Sequence, residues 1–284
     1  MVSNLSILYM SLSVLLSIGV PVGLLIYLHQ RHQISWKAVT VGALVWFFFT
    51  QGLEKMVHVY VFDVNPFTAA LMKKPLWFAL YGALAAGIFE EVGRYIAFTA
   101  WLKTLRAWKD GVAYGLGHGG IESLLIGGIM GVQSVLMARM INTGTLGDLG
   151  GKLPPEALEQ AKNLLLSTPP LAFLAGGLER NIALAMQIAL SLLVLYGVRE
   201  GKIAILFAAI AAHAVIDFPV ALYQAIRYDT LYLFLYLVAL FGISLIFIFW
   251  SRRLFPGAAE EPTGEPAKER NRSEGKNRNK PKKQ

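Results

Sequence analysis

Predominantly apolar stretches wide enough to cross a membrane recur along the chain at 5–28, 36–57, 76–102, 111–139, 169–198, 202–226 and 230–250. Each is at least as long as the ~20 residues a helix needs to span a hydrocarbon core. In lipid the backbone must satisfy its own hydrogen bonds, so such runs are read as helices. The pattern predicts an all-α integral membrane protein of about seven transmembrane helices, forming one membrane domain over 1–255. The polar segment 140–168 differs from the other connections. Its "PPEALEQAKNLLLS", with a Pro pair, an early Glu and spaced leucines, predicts a short amphipathic helix lying at the interface.

Composition sharpens this picture. The 284 residues are 55% hydrophobic and only 15% charged, against about 25% charged in soluble domains. There is no cysteine, which excludes disulfides, thiol catalysis and cysteine-ligated metal. The net charge of +8 is uneven, with ten of the 26 Lys/Arg falling in 251–284. Residues 256–284, rich in Pro, Gly, Asn, Lys and Glu, are expected to be a disordered basic cytoplasmic tail, drawn to membrane lipid rather than nucleic acid. Basic residues also collect in alternate connections: "HQRHQISWK" at 29–37, "KTLRAWKD" at 103–110 and "REGK" at 199–202. Because Lys and Arg favour the cytoplasmic side, the N-terminus is expected outside and the C-terminus inside. The expected location is the plasma membrane of a prokaryote.

Ionisable residues nevertheless lie inside four of the apolar runs. They are Glu90, Glu91 and Arg94 within "IFEEVGRY", His118 and Glu122 within "GHGGIES", Glu179 and Arg180 within "GLERN", and His213 and Asp217. A charge at a helix centre costs about 2.5–3.5 kcal/mol on the insertion scale, so these groups must face one another or a watery cavity. Glu90 and Arg94, His118 and Glu122, and His213 and Asp217 are each four residues apart, hence on one helix face. At 1.5 Å per residue, His213 falls about 16 Å into its span, His118 about 10 Å, and Glu90 about 18 Å from the cytoplasmic end of its own. All four helices therefore deliver charge to a similar level. Five carboxylates against two arginines leave a net of −3, an imbalance relieved either by protonation or by a bound divalent cation such as Zn²⁺, which suits imidazole and carboxylate. Gly111, Gly115 and Gly119 form a small-residue ridge that allows close helix approach.

In order, the Glu90-Glu91 pair with Arg94, Tyr114 four residues before His118, and His213-x3-Asp217 resemble the motifs of intramembrane metalloproteases that include the CAAX-processing and bacteriocin-processing enzymes. The two-residue gap before Arg94 is more similar to the PrsW-type branch. With "GHGGIES" and "GLERN" the chain most resembles the YhfC-type membrane peptidases, over about 76–226. That resemblance implies a metal-dependent peptidase in which a glutamate activates water inside a polar site formed by the third to sixth spans. It assigns Glu90, Glu91 and Arg94 to the catalytic set, and His118, His213 and Asp217 to metal or water. Glu122, Glu179 and Arg180 lack a counterpart in the general motif and join the catalytic candidates by burial and position. Arg180 is a candidate oxyanion donor. The expected partners are membrane lipid and a membrane-associated peptide substrate. Hydrolysis consumes water, and access is expected from the cytoplasmic side. Two other classes use similar residues: a proton- or cation-coupled transporter, since buried Asp/Glu/His chains make relays, and a non-catalytic membrane scaffold. His29, His32 and His58, near span ends, are expected at the water interface.

Overall fold

A computed structural model describes residues 1–149, 154–227 and 229–256. The basic tail expected over 256–284 therefore lies outside the described residues, apart from Pro256. Among the described residues the chain is helical with no strand. In order come α1 (Asn4–His32), α2 (Trp36–Trp46), α3 (Lys55–Val59), α4 (Pro66–Met72), α5 (Pro75–Ile96), α6 (Trp108–Glu122), α7 (Met130–Thr143), α8 (Pro155–Ser167), α9 (Pro170–Arg199), α10 (Ala204–Ile226) and α11 (Thr230–Trp250). Stretches of π-helix at Phe47–Glu54 and Ser123–Ile129 join α2 to α3 and α6 to α7, and a further π turn, Ala97–Trp101, extends α5.

Among the described residues, six helical runs are long and apolar enough to cross a membrane: Asn4–His32, Pro75–Trp101, Trp108–Thr143, Pro170–Arg199, Ala204–Ile226 and Thr230–Leu254. They coincide with six of the seven expected spans. The seventh, 36–57, is helical but interrupted by π turns, and Gln51 and Glu54 dilute its apolar character. The amphipathic segment forms α8, whose Leu165 packs with Val2, Met10 and Ala138.

Local chemistry sets the helix ends. Ser3 caps α1 by accepting from Ser6 N, and Asn65 caps α4. Asp110 accepts from Ala107 N at 2.9 Å to close the start of α6, and Pro170 occupies the first turn of α9. The start of α1 is tied to the end of α7 by Val2 N donating to Asn142 Oδ1 at 2.7 Å. At the opposite end, Trp108 Nε1 donates to Ile248 O at 3.1 Å. The bundle thus has an N-terminal face and a C-terminal face.

Close helix approach depends on glycine. The predicted ridge is real: a Cβ at Gly111, Gly115 or Gly119 would press on Leu192, Ile188 or Gln187 of α9. On the other side of α6, a Cβ at Gly117 would lie 2.0 Å from Val39 O, and one at Gly42 of α2 would lie 2.3 Å from Tyr114 O. α6 is therefore clamped between α2 and α9 at backbone distance, while α10 packs along α5. This geometry brings four charged helices together.

Candidate functional site

α5, α6, α9 and α10 deliver every one of the predicted charged side chains into a single hydrogen-bonded network. Arg94 Nη1 donates to Glu91 Oε1, and His213 Nδ1 meets the same oxygen at 2.7 Å. Both Glu91 and Arg94 are completely buried, so the pair has no solvent share. His118 Nε2 lies 2.8 Å from Glu90 Oε2 and 3.2 Å from Arg94 Nη2. A ring nitrogen cannot donate to one neighbour and accept from another at once. The shorter contact is the donor one when Glu90 is ionised, which leaves His118 Nδ1 unprotonated and, in this structure, without a hydrogen-bond partner.

A residue absent from the sequence candidates joins the two halves. Gln187 of α9 accepts from Arg94 Nη2 through Oε1, while its Nε2 donates to Glu90 Oε2 at 2.8 Å and Glu122 Oε2 at 3.0 Å. With two N–H groups for two carboxylates and its oxygen on the guanidinium, the amide has only one satisfactory orientation. Beyond it, Arg180 Nη1 donates to Glu122 Oε1 at 3.1 Å, and Arg180 pairs with Glu179 through Nε at 2.8 Å and through Nη2. His213 Nε2 lies 3.4 Å from Asp217 Oδ2. The nine candidates and Gln187 therefore share one cluster.

A cavity of about 240 Å³ touches only part of it: Glu90, Glu122, Glu179, Arg180, Gln187, His213 and Asp217 line the wall, whereas Glu91, Arg94 and His118 do not. Its remaining wall is small or apolar and includes Gly82, Ala83, Val220, Ala221 and Leu237. These residues, with Gln224, lead toward the N-terminal face. Toward the C-terminal face the cluster is closed by Tyr114, Phe98 and Leu102, all with no exposed surface. The Phe98 and Tyr114 ring centroids are 4.7 Å apart. The cavity therefore opens away from the C-terminal face, the side from which the expected orientation would bring water. The large side chains of α5 and α6 fill that end, and the small residues of α5 open the other.

The expected metal ligands His118, His213 and Asp217 do not form a common group. Among the described residues, no set of three or more His, Asp or Glu side chains is arranged to hold a metal ion. His213 is held through Nδ1 by Glu91, Asp217 sits half exposed at the cavity wall, and His118 Nε2 faces the Arg94 guanidinium. A cation at that nitrogen would meet a fixed positive charge in a low-dielectric interior, where like charges repel strongly. As arranged, the donor types suit a divalent metal and their placement does not.

Of the remaining histidines, His32 is exposed, while His29 and His58 are held by neighbours. His29 Nε2 accepts from Trp36 Nε1 at 3.1 Å, and His58 bridges Glu54 at 3.3 Å and Tyr81 Oη at 2.7 Å.

A multispan helical membrane protein holding a buried carboxylate–imidazole–guanidinium cluster against a one-sided cavity is the class that fold and site define. Within it, the chain belongs to the YhfC intramembrane metalloprotease family, whose model matches residues 14–238, a range containing all four site helices. It is 41% identical over 226 residues to the "Uncharacterized membrane protein YhfC" of Bacillus subtilis (strain 168), covering 79% of this chain and 87% of that relative. No solved structure matches.

Proposed function

We propose that this protein is an intramembrane peptidase of a prokaryotic plasma membrane, in which Glu90 activates a water molecule for peptide-bond hydrolysis. One observation carries the reading: of the two adjacent glutamates, Glu90 borders the cavity, while Glu91 is sealed behind it and spent on Arg94 and His213. A general base must reach the proton it removes, and Glu90 is the glutamate of the pair with that access.

In this scheme a water in the cavity gives a proton to Glu90 as its oxygen adds to the substrate carbonyl carbon. The carbonyl oxygen gains the negative charge and is met by the N–H groups of Arg180 that Glu122 and Glu179 leave free. As the C–N bond breaks, the proton on Glu90 passes to the departing amine. Gln187 and His118 hold Glu90 in place, and Glu91 with Arg94 anchors the helices beneath it. His213 and Asp217 contribute to the same cavity wall.

Small and apolar residues in the rest of the cavity wall suit an extended apolar stretch of a membrane-associated peptide. No step of this scheme runs through a metal, because among the described residues no three His, Asp or Glu side chains are arranged to hold one. A conducting transporter is disfavoured by the packed Phe98, Tyr114 and Leu102 layer below the cluster.

The test is cleavage of a membrane-peptide library by proteoliposomes holding the purified full chain. Glu90→Gln should abolish product. Product formed equally by Glu90→Gln and wild type would refute the scheme.

A further inference from the structure

A second cavity, of about 440 Å³, lies outside the charged cluster, between α1, α6, α9 and α11. α9 separates the two: Ala183 and Gln187 face the first cavity, and Leu184 and Ile188 face the second. Its deep end is marked by Val20 of α1 and Phe241 of α11, and its mouth by His32, Trp108 and Arg252 at the C-terminal face. Val20 and His32 are twelve residues apart on one helix, so the crevice runs for about 18 Å along the helix axis. Half of a ~30 Å hydrocarbon core is about 15 Å. The crevice therefore matches the depth of one leaflet. Below the mouth its wall is apolar except for Tyr27, with its hydroxyl, and Asn181, whose amide N–H is turned onto Gly177 O at 2.8 Å.

Charge at the mouth has the sign of an anion receptor. The Arg252 guanidinium lies 4.5 Å from the Trp108 ring centroid and 5.4 Å from that of Phe249. No carboxylate of the described residues reaches it in an ion pair. Trp108 is itself fixed by its indole N–H on Ile248 O and Ser251 Oγ, each at 3.1 Å. The same face carries Arg31, Lys37, Lys103, Lys109, Arg199 and Lys202. Its acids are already engaged, Asp110 with Ala107 N and Glu200 with Lys202. α11 leaves the crevice accessible from the bilayer, since of its residues only Ser244 and Ile248 are buried.

We infer that this crevice is a binding site for one anionic phospholipid of the adjoining leaflet, its acyl chain between α1 and α11 and its phosphate on Arg252. Apolar burial sets the depth and the headgroup charge sets the preference. Filling the crevice would brace α11, which otherwise packs mainly on α9. The inference is independent of the proposed peptidase activity.

The experiment is native mass spectrometry of the full chain purified in detergent, titrated with phosphatidylglycerol and phosphatidylcholine of identical acyl chains. Wild type should retain one lipid, with about fivefold preference for the anionic one, the factor for a single basic side chain at an anionic surface. Arg252→Ala should bring the two lipids to near parity while keeping an adduct. Leu245→Trp, which fills the crevice, should remove the adduct for both. Val20→Trp, filling it from α1, serves if Leu245→Trp does not fold. Equal retention of both lipids by wild type, an unchanged preference in Arg252→Ala, or a retained adduct in the folded filling variant would overturn the inference. Displacement of the lipid by millimolar inorganic phosphate would overturn it too, by pointing to a free-anion site.

Discussion

Gln187 Nε2 donates to Glu90 Oε2 at 2.8 Å, joining residues 97 positions apart in the chain. The same amide donates to Glu122 and accepts from Arg94, so one neutral side chain keeps two carboxylates and a guanidinium in register. Gln187→Leu removes all three bonds while approximately preserving volume. A buried hydrogen bond to a charged group is worth about 1.5–3 kcal/mol. Peptidase turnover should therefore fall about tenfold to hundredfold, with KM little changed, because Gln187 has no proposed contact with substrate. Steady-state kinetics in proteoliposomes separates the two parameters.

Arg94 anchors the buried side of the cluster. Arg94→Met leaves Glu91 ionised and buried with His213 alone. Removing one partner of a buried pair costs about 3–5 kcal/mol, enough to lower the thermal unfolding midpoint markedly. Arg94→Lys should not restore it, since a lysine cannot reproduce a fork reaching Glu91 and Gln187 together. Arg94→Met combined with Glu91→Gln should recover part of the loss. Thermal unfolding in detergent, followed by tryptophan fluorescence, reads all four proteins.

The glycine contacts make a prediction with an internal control. Gly117→Ala puts a carbon about 2 Å from Val39 O, forcing α2 and α6 apart. Overpacking of this kind costs about 1–3 kcal/mol or more, and here it also displaces His118. Gly23→Ala meets nothing within 4 Å and should be neutral. Expression and unfolding midpoint should diverge accordingly.

Because the chain contains no cysteine, single cysteines report water access without background. Gln224→Cys, at the open end of the cavity, should react with a water-soluble maleimide added from the N-terminal face. Leu102→Cys, beneath the aromatic layer, should stay unlabelled until the protein is denatured. Labelling rates in proteoliposomes of known orientation give the answer.

Much of this site was legible in the sequence. Charges in apolar runs are costly enough to announce themselves, and the four-residue spacings placed each pair on a common face. Counting along helices also matched their depths. Gln187 escaped notice because a neutral amide inside "IALAMQIALS" carries no charge signal, although a lone Gln in the midst of such a run is itself a mark of a buried polar partner. The direction in which the cavity opens was hidden for a different reason. Depth along one helix says nothing about which end its neighbours fill, and that depends on Tyr114 and Phe98 meeting across α5 and α6. Likewise, the donor types at His118, His213 and Asp217 suggested a metal, while the Arg94 guanidinium beside His118 is visible only in three dimensions. The second expected span is helical but less apolar than the other six, because Lys37, Gln51 and Glu54 fall within it.

The most direct test of the account is the fate of solvent oxygen. Proteoliposomes containing the full chain are incubated with membrane peptides in ¹⁸O-water, and the products are read by mass spectrometry. The account predicts new C-terminal carboxylates carrying ¹⁸O with wild type, at an undiminished rate after chelator treatment, and none with Glu90→Gln. Labelled product at the wild-type rate from Glu90→Gln, or cleavage that disappears on chelation and returns with stoichiometric metal, would contradict it.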